Sequence, residues 1–316
     1  MIMVKQQQEK SMKQELLAFA SSLGISQIGI APPGPFPELA AILRQRADRG
    51  HLTEFDPGET DVRIDARLTM TDARSIIVAL FPYYTGERAG SNLAKYTWGR
   101  DYHLVIKDYL NQIGSYLQTT LPEFRYQAHV DTGPLIDRYL AWQAGLGFYG
   151  INSCLINDEY GSWFFIGYLI SNHPFPYDRP LQRTCQQCGR CQAACPGRII
   201  LGDGTIDPRL CKSYLTQKKG SLSPQELAVI RATGTLFGCD ICQDVCPHNK
   251  GIPQTTLSGF RDTVEPRLSC PELSSLSNRQ FRDTFGERAF SWRGKSILER
   301  NCRILEEILT MTGGPQ

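Results

Sequence analysis

Long hydrophobic runs are missing from this chain of 316 residues. No apolar stretch approaches the roughly 18 residues of a membrane span, so no membrane attachment is expected. Met1 to Lys13 is polar and lacks the apolar stretch of a signal peptide. There is no internal repeat beyond two cysteine motifs, and no low-complexity tract. No G-x-G-x-x-G follows a strand-like segment, which argues against an NAD- or FAD-binding dinucleotide fold. Net charge is also small, at +2. It is unevenly spread: from Arg183 onward 18 Lys and Arg face 13 Asp and Glu, which leaves 16 against 19 for the preceding residues. That imbalance permits a polyanionic partner for the C-terminal half, and ordinary fluctuation accounts for it equally well. With 41% hydrophobic and 21% charged residues, the composition is that of a globular protein with ample core. The length allows one large domain or about two of ordinary size.

What the chain does have is cysteine, eleven in all. Without an export signal, ligand or thiol roles are expected ahead of disulfides, in a reducing cytoplasm. Cys185, Cys188, Cys191 and Cys195, followed by Pro196, form C-x2-C-x2-C-x3-C-P. Cys239, Cys242 and Cys246, followed by Pro247, form a shorter second run. The first spacing is the bacterial ferredoxin pattern, in which three thiolates hold one [4Fe–4S] cubane and the fourth reaches another. The proline after the last ligand fixes the turn that leaves the site. Zinc is the alternative metal, but its sites favour two separated C-x2-4-C pairs around one ion.

Two cubanes need about eight thiolates, and the two motifs supply one fewer. Cys211, between them, fits the vacancy. By the crossover pattern, Cys185, Cys188 and Cys191 pair with Cys246, and Cys195, Cys239 and Cys242 pair with Cys211. The spacing alone leaves open which remote cysteine closes which cluster. Cys154, Cys270 and Cys302 are left over as buried or incidental thiols. Because no cluster lacks a ligand, the pair would conduct electrons rather than react. The chemistry is then expected upstream, on a cofactor that receives electrons.

The upstream residues alternate between helix and strand patterns. Ser11 to Gln14 resembles a capping box, with Leu16, Leu17, Ala20 and Leu23 at helical spacing behind it and Gly24 as the stop. Ser26 to Ala31 reads as a short strand, and Gly50 to Arg67 as a polar, turn-rich connection. Ser75 to Leu80 is a continuous apolar run, as for a strand covered on both faces. Tyr102, Val105, Ile106, Tyr109, Ile113 and Leu117 outline an amphipathic helix. Tyr126 to Val130 alternates as a strand and leads into Asp131-Thr-Gly-Pro134. Ile136 to Ala144 follows as a helix, and Trp163 to Ile170 as another strand. This alternation implies an α/β domain over residues 1–180, with the proline-rich Asn172 to Pro180 as its boundary. Residues 181–316, with cysteine loops and short helices, form the second domain. Asp131 itself, at a strand end before a Gly-Pro turn, reads either as a side chain aimed into a cleft or as an Asx-type turn.

In chain order, the motifs resemble those of the epoxyqueuosine reductases of tRNA modification. The likeness rests on His129-Val-Asp131-Thr-Gly-Pro-Leu135, Arg138, the Ala-Gly-Leu-Gly run at 144–147 and Tyr160-Gly-Ser-Trp163. It continues through both cysteine motifs, Cys211-Lys-Ser-Tyr-Leu-Thr216 and Ser291-Trp-Arg-Gly-Lys295. The resemblance implies an α/β cobalamin-binding domain followed by a bacterial two-cluster ferredoxin-like domain (α+β) with a short C-terminal helical tail. It implies a base-off cobalamin fed by the clusters, and reduction of epoxyqueuosine at the wobble position of the tRNAs for Tyr, His, Asn and Asp. Asp131 matches the family's proton donor. Arg63, Asp131, Arg138, Leu155, Ile166, Ser213 and Asp240 match cobalamin contacts, and Lys219 matches a tRNA contact. An external ferredoxin or flavodoxin as reductant, and a monomeric state, are also implied. The chain departs from the family at Ile151, where Lys is frequent, and at Tyr168, near which Glu is frequent. Asp101-x-His103 begins like a D-x-H-x-x-G cobalamin motif, but Ile106 stands at the Gly position, so His103 is not assigned to cobalt. Three other readings compete: a paralogue with the same cofactors acting on a small organic epoxide or halide, a non-catalytic electron carrier, and a flavin enzyme.

Overall fold

The computed structural model describes residues 2–56 and 59–311. They form two compact units, one running to Pro82 and resuming from His103 to Gln187, the other made of Tyr83–Tyr102 and the residues from Cys188 onward. The division therefore falls after Gln187 rather than at residue 180, and an upstream segment joins the cysteine-rich unit.

In the first unit the elements run α1 (Ile2–Ser22), β1 (Ile28–Ala31), α2 (Pro37–Asp48), α3 (Thr60–Ile64), β2 (Ser75–Pro82), α4 (Tyr102–Thr120), β3 (Tyr126–Val130), α5 (Asp137–Gln143), β4 (Phe148–Tyr149), β5 (Leu155–Ile156) and β6 (Phe164–Ser171). Four strands make one sheet in the order β1-β2-β6-β3. Every neighbour pair is antiparallel, with Ile30 opposite Ile77, Val78 opposite Tyr168, and His129 opposite Tyr168. The alternation of helix and strand thus yields layers on both faces, as expected, but not a parallel sheet. An apolar run reports that both faces are covered; it carries no information on the direction of the neighbouring strand.

All eight residues of β2 are buried. On one face Ile76, Val78 and Leu80 of β2 and Ile166, Tyr168 and Ile170 of β6 pack with Leu39 and Ala40 of α2 and with Leu140 and Ala141 of α5. On the other, Ile106 and Leu110 of α4 lie over Gly167 of β6 beside Phe81. α1 is joined to α4 by Phe19 stacked on Tyr116 at 4.0 Å between centroids. The capping box expected at Ser11 is not a helix start. α1 already runs through it, because the Lys, Gln and Glu residues before it are strong helix formers, and Ser11 Oγ instead donates to Glu15 Oε1 at 3.4 Å. Gly24, at φ +82°, does end the turn.

The second unit contains α6 (Arg190–Ala194), α7 (Lys212–Leu215), α8 (Pro224–Arg231), α9 (Ile241–Asp244), α10 (Ser258–Arg261), α11 (Cys270–Ser275), α12 (Asn278–Phe285) and α13 (Lys295–Met311). Among its described residues β structure is limited to isolated bridges, such as Leu93 with Phe237 and Ile200 with Ile206, so the expected α+β character is a nearly all-helical one. Cys191 and Cys242 each sit in a single helical turn, and Cys211 caps another, which leaves little chain between ligands for strands. The segment Tyr83–Tyr102 belongs here because Leu93 and Trp98 share a core with Phe237, Phe281 and Phe290. The Ala94 N–H also donates to Phe237 O at 3.0 Å. True capping boxes open α8 at Ser223 with Glu226 and α12 at Ser277 with Gln280.

Candidate active site and cluster cysteines

β3 is an edge strand of the sheet, and Asp131 is the first residue beyond its end. It adopts φ +52°, a left-handed conformation that Asp tolerates better than most side chains. The turn is closed by the Thr132 N–H donating to Val130 O at 2.6 Å. The Asp131 side chain is 57% exposed, and its Oδ2 lies 3.5 Å from His103 Nε2 at the start of α4. Tyr168 supports the turn from beneath. Its hydroxyl accepts the Leu135 N–H at 3.1 Å, and its ring stacks on His129 at 5.2 Å. A Cβ on Gly133 would come within 2.3 Å of that hydroxyl, so the turn needs glycine there. Burial lowers the His129 imidazole, with Lys107 adding to the effect, and leaves its buried Nε2 without a hydrogen-bond partner.

The carboxyl nearest this turn is Asp137. Its Oδ2 accepts the Asp131 backbone N–H at 3.0 Å. The residue keeps some exposed surface, but its Oδ1 is buried and has no hydrogen-bond partner. Burial raises its pKa well above the ordinary carboxylate range, and the Asp131 charge raises it further, while the hydrogen bond from the Asp131 N–H and the Arg138 and Arg63 charges act in the opposite sense. Arg138 is tied to the loop before β5, donating to Ser153 O at 2.6 Å. Arg63, Asp131, Asp137 and Arg138 therefore share one neighbourhood of cations and acids. Asp137 and His103 were not assigned by the sequence. An acidic residue in a first helical turn reads as an ordinary partner of the helix dipole, and only the Asp-x-His pair hinted at the second.

In the second unit several of the cysteine thiols lie within electrostatic reach of one another. Cys191 is raised by burial and then by Cys242 and Cys246. Cys211 is raised by burial against the opposing N–H groups of Tyr214 and Ser213, with Cys242 and Cys195 adding to the rise. Burial pushes Cys239 up to about 12, and Cys211 and Cys242 are again its neighbours. Enclosed thiols that face one another ionise only with a positive core between them, which fits iron–sulfur ligation. Lys212, beside Cys211, is buried and donates to Ile230 O at 2.7 Å and Thr233 O at 2.8 Å.

Two family models match: one described as "Epoxyqueuosine reductase QueG, DUF1730" over residues 63–132, and one described as "4Fe-4S double cluster binding domain" over residues 184–249. The Lactococcus garvieae (strain Lg2) protein named epoxyqueuosine reductase is 38% identical over 306 residues, covering 92% of this chain and 85% of that protein. The chain belongs to the epoxyqueuosine reductase family. A solved epoxyqueuosine reductase holding an epoxyqueuosine-modified tRNA-Tyr stem loop is 30% identical, with a TM-score of 0.88, over 94% of this chain and 81% of that one. A Bacillus subtilis epoxyqueuosine reductase, 30% identical with a TM-score of 0.87 over the same shares, was solved with its aspartate-bearing catalytic loop swung out of the active site.

Against this family background the remaining sequence-assigned residues fall into distinct settings. Leu155 and Ile166 are part of the hydrophobic core, at 3% and 9% exposure, so their side chains face apolar neighbours. Ser213 accepts the Thr216 hydroxyl and the Gln217 amide at its backbone carbonyl. Asp240 is buried; its Oδ2 accepts the Lys95 N–H at 2.7 Å, and its Oδ1 has no hydrogen-bond partner. Burial raises this carboxyl to about 7. Lys219 is exposed, whereas Lys218 is held by Glu226 Oε1 at 2.5 Å. Cys154 is half-buried and outside the disulfide. Cys270 and Cys302, expected as free thiols, instead form a disulfide between α11 and α13. Their pairing depends on two helices sharing one core, which spacing does not reveal.

Proposed function

We propose that this protein reduces epoxyqueuosine to queuosine at the wobble position of the tRNAs for Tyr, His, Asn and Asp. The observation that supports this reading furthest is family membership over nearly the whole chain, with Asp131 on a turn whose backbone is pinned and whose carboxyl is exposed. Cys185, Cys188, Cys191 and Cys246 would hold one [4Fe–4S] cluster and Cys195, Cys211, Cys239 and Cys242 a second, which would supply electrons received from an external ferredoxin or flavodoxin. A base-off cobalamin, when bound, supplies the two-electron chemistry at the epoxide carbon. Arg63 and Arg138 would offer guanidinium donors to its polar periphery, and the buried, unpartnered Oδ1 of Asp240 would offer an acceptor. Leu155, Ile166 and Ser213 complete its contacts.

Asp131 delivers a proton to the oxygen released as the epoxide opens. An alkoxide is a poor leaving group, so a positioned acid lowers the barrier. Two electrons and two protons convert the epoxide into the cyclopentene ring and one water. Lys219, exposed beside the second cluster's ligands in sequence, contacts the RNA backbone. The protein acts as a monomer in the cytoplasm. Among the described residues no helix is long and apolar enough to cross a membrane.

The test is conversion of epoxyqueuosine-containing tRNA by protein reconstituted with iron, sulfide and cobalamin under a low-potential reductant, followed by nucleoside mass spectrometry. Queuosine formation supports the proposal. Loaded clusters and cobalamin with unchanged epoxyqueuosine would transfer the reading to a paralogue acting on a different epoxide or halide.

A further inference from the structure

The Asp131 turn is fastened by a carboxyl that no motif singled out. Asp137 is the first residue of α5, where an acidic side chain ordinarily turns toward the free N–H groups of its own helix. Here it makes no such bond. Its Oδ2 reaches back across the turn and accepts the backbone N–H of Asp131 at 3.0 Å, while its Oδ1 is enclosed without a hydrogen-bond partner. The contact is made to the backbone of Asp131, so the Asp131 carboxyl stays exposed for substrate while φ +52° is held in place. The neighbouring bonds, Thr132 N–H to Val130 O and Leu135 N–H to the Tyr168 hydroxyl, fix the two sides of the same turn.

We propose that Asp137 is the positioning residue of the reaction, a latch whose carboxyl oxygen holds the Asp131 turn in the geometry that delivers the proton. This rests on the reading of Asp131 as the proton donor. A catalytic acid on a flexible turn spends little time in the reactive geometry, and small misplacements cost large factors in rate. The pairing also sets an enclosed acid beside the donor, so that one negative charge rather than two is favoured at the turn.

Asp137→Asn keeps a carbonyl oxygen able to accept the Asp131 N–H, whereas Asp137→Ala removes it. The two variants and the wild type are compared in reductive turnover of an epoxyqueuosine-containing tRNA stem loop, and in hydrogen exchange of the amides of residues 131–133 and 135 of the cofactor-free protein. The Ala variant is expected to lose about tenfold or more in kcat with KM changed by less than about twofold, and to exchange the Asp131 amide about tenfold faster. The Asn variant is expected to retain slow exchange and most of kcat. Wild-type kcat and exchange in the Ala variant would overturn the latch. So would equal loss of kcat in both variants with exchange unchanged, because the acid rather than the hydrogen bond would then matter. If the Ala variant does not fold, the Asn variant decides: exchange at Asp131 close to wild type supports the latch, and exchange about tenfold faster removes it. Should the wild type itself leave epoxyqueuosine unreduced, the functional reading fails, while the exchange comparison still decides the latch.

Discussion

Asp131 combines an exposed carboxyl with a backbone that few side chains accept, and this makes its chemistry separable from its structural part. Asn tolerates the left-handed region nearly as well as Asp, so Asp131→Asn preserves φ +52° and the N–H donated to Asp137 while abolishing the acid. Turnover of epoxyqueuosine tRNA is expected to fall by about 10²–10⁴-fold, with the iron–sulfur absorbance unchanged; full turnover would remove the acid role. Asp137 makes a prediction of opposite character, in stability. Its folded-state pKa is raised by burial, so protonation favours the native state. Its contribution is therefore complete below the unfolded value of about 4 and is lost as pH rises through the folded value. Denaturant titrations should show the wild type losing stability relative to Asp137→Asn as pH increases from about 4. Asp131 was legible as a candidate because a strand pattern ends against a Gly-Pro turn. Asp137 was not, because what it bonds to depends on how the turn folds back.

The elements that carry the cysteines are single helical turns, and their cooperation follows from the ligand count. Cys211 lies outside both motifs, yet its thiol has Cys242 and Cys195 as neighbours, in line with the proposed second set. Cys211→Ser is expected to lower iron from about eight to about four per chain while leaving one cubane spectrum intact; loss of all iron, or none, would break the assignment. The ferredoxin-type spacing was readable because ligands held by one loop must be close in sequence. The helix of Tyr102–Thr120 and the strand of Tyr126–Val130 were readable from their periodicity. The direction of β2 against β6 was not. Side-chain burial is the same for either polarity, and only the backbone ladder distinguishes them.

At the scale of the whole chain, the second unit is stabilised by its cores and by the link between α11 and α13. The two cysteines are separated by 32 residues in sequence, and closing a loop of that size restricts the unfolded chain by about 3–4 kcal/mol. Cys302→Ala should lower the unfolding free energy of the cluster-bearing unit by about that amount, and peptide mapping without reduction should recover the Cys270–Cys302 pair. The chain's own sequence determined the iron–sulfur chemistry and the family, because both depend on residue types at fixed local spacing. Tertiary structure alone decided that the sheet is antiparallel and that Tyr83–Tyr102 joins the cysteine-rich unit. It also decided that Cys270 and Cys302 pair, and that Asp137 fastens the turn of Asp131. Each of these depends on which distant segments are buried together, and burial is a property of the folded chain rather than of any stretch of it.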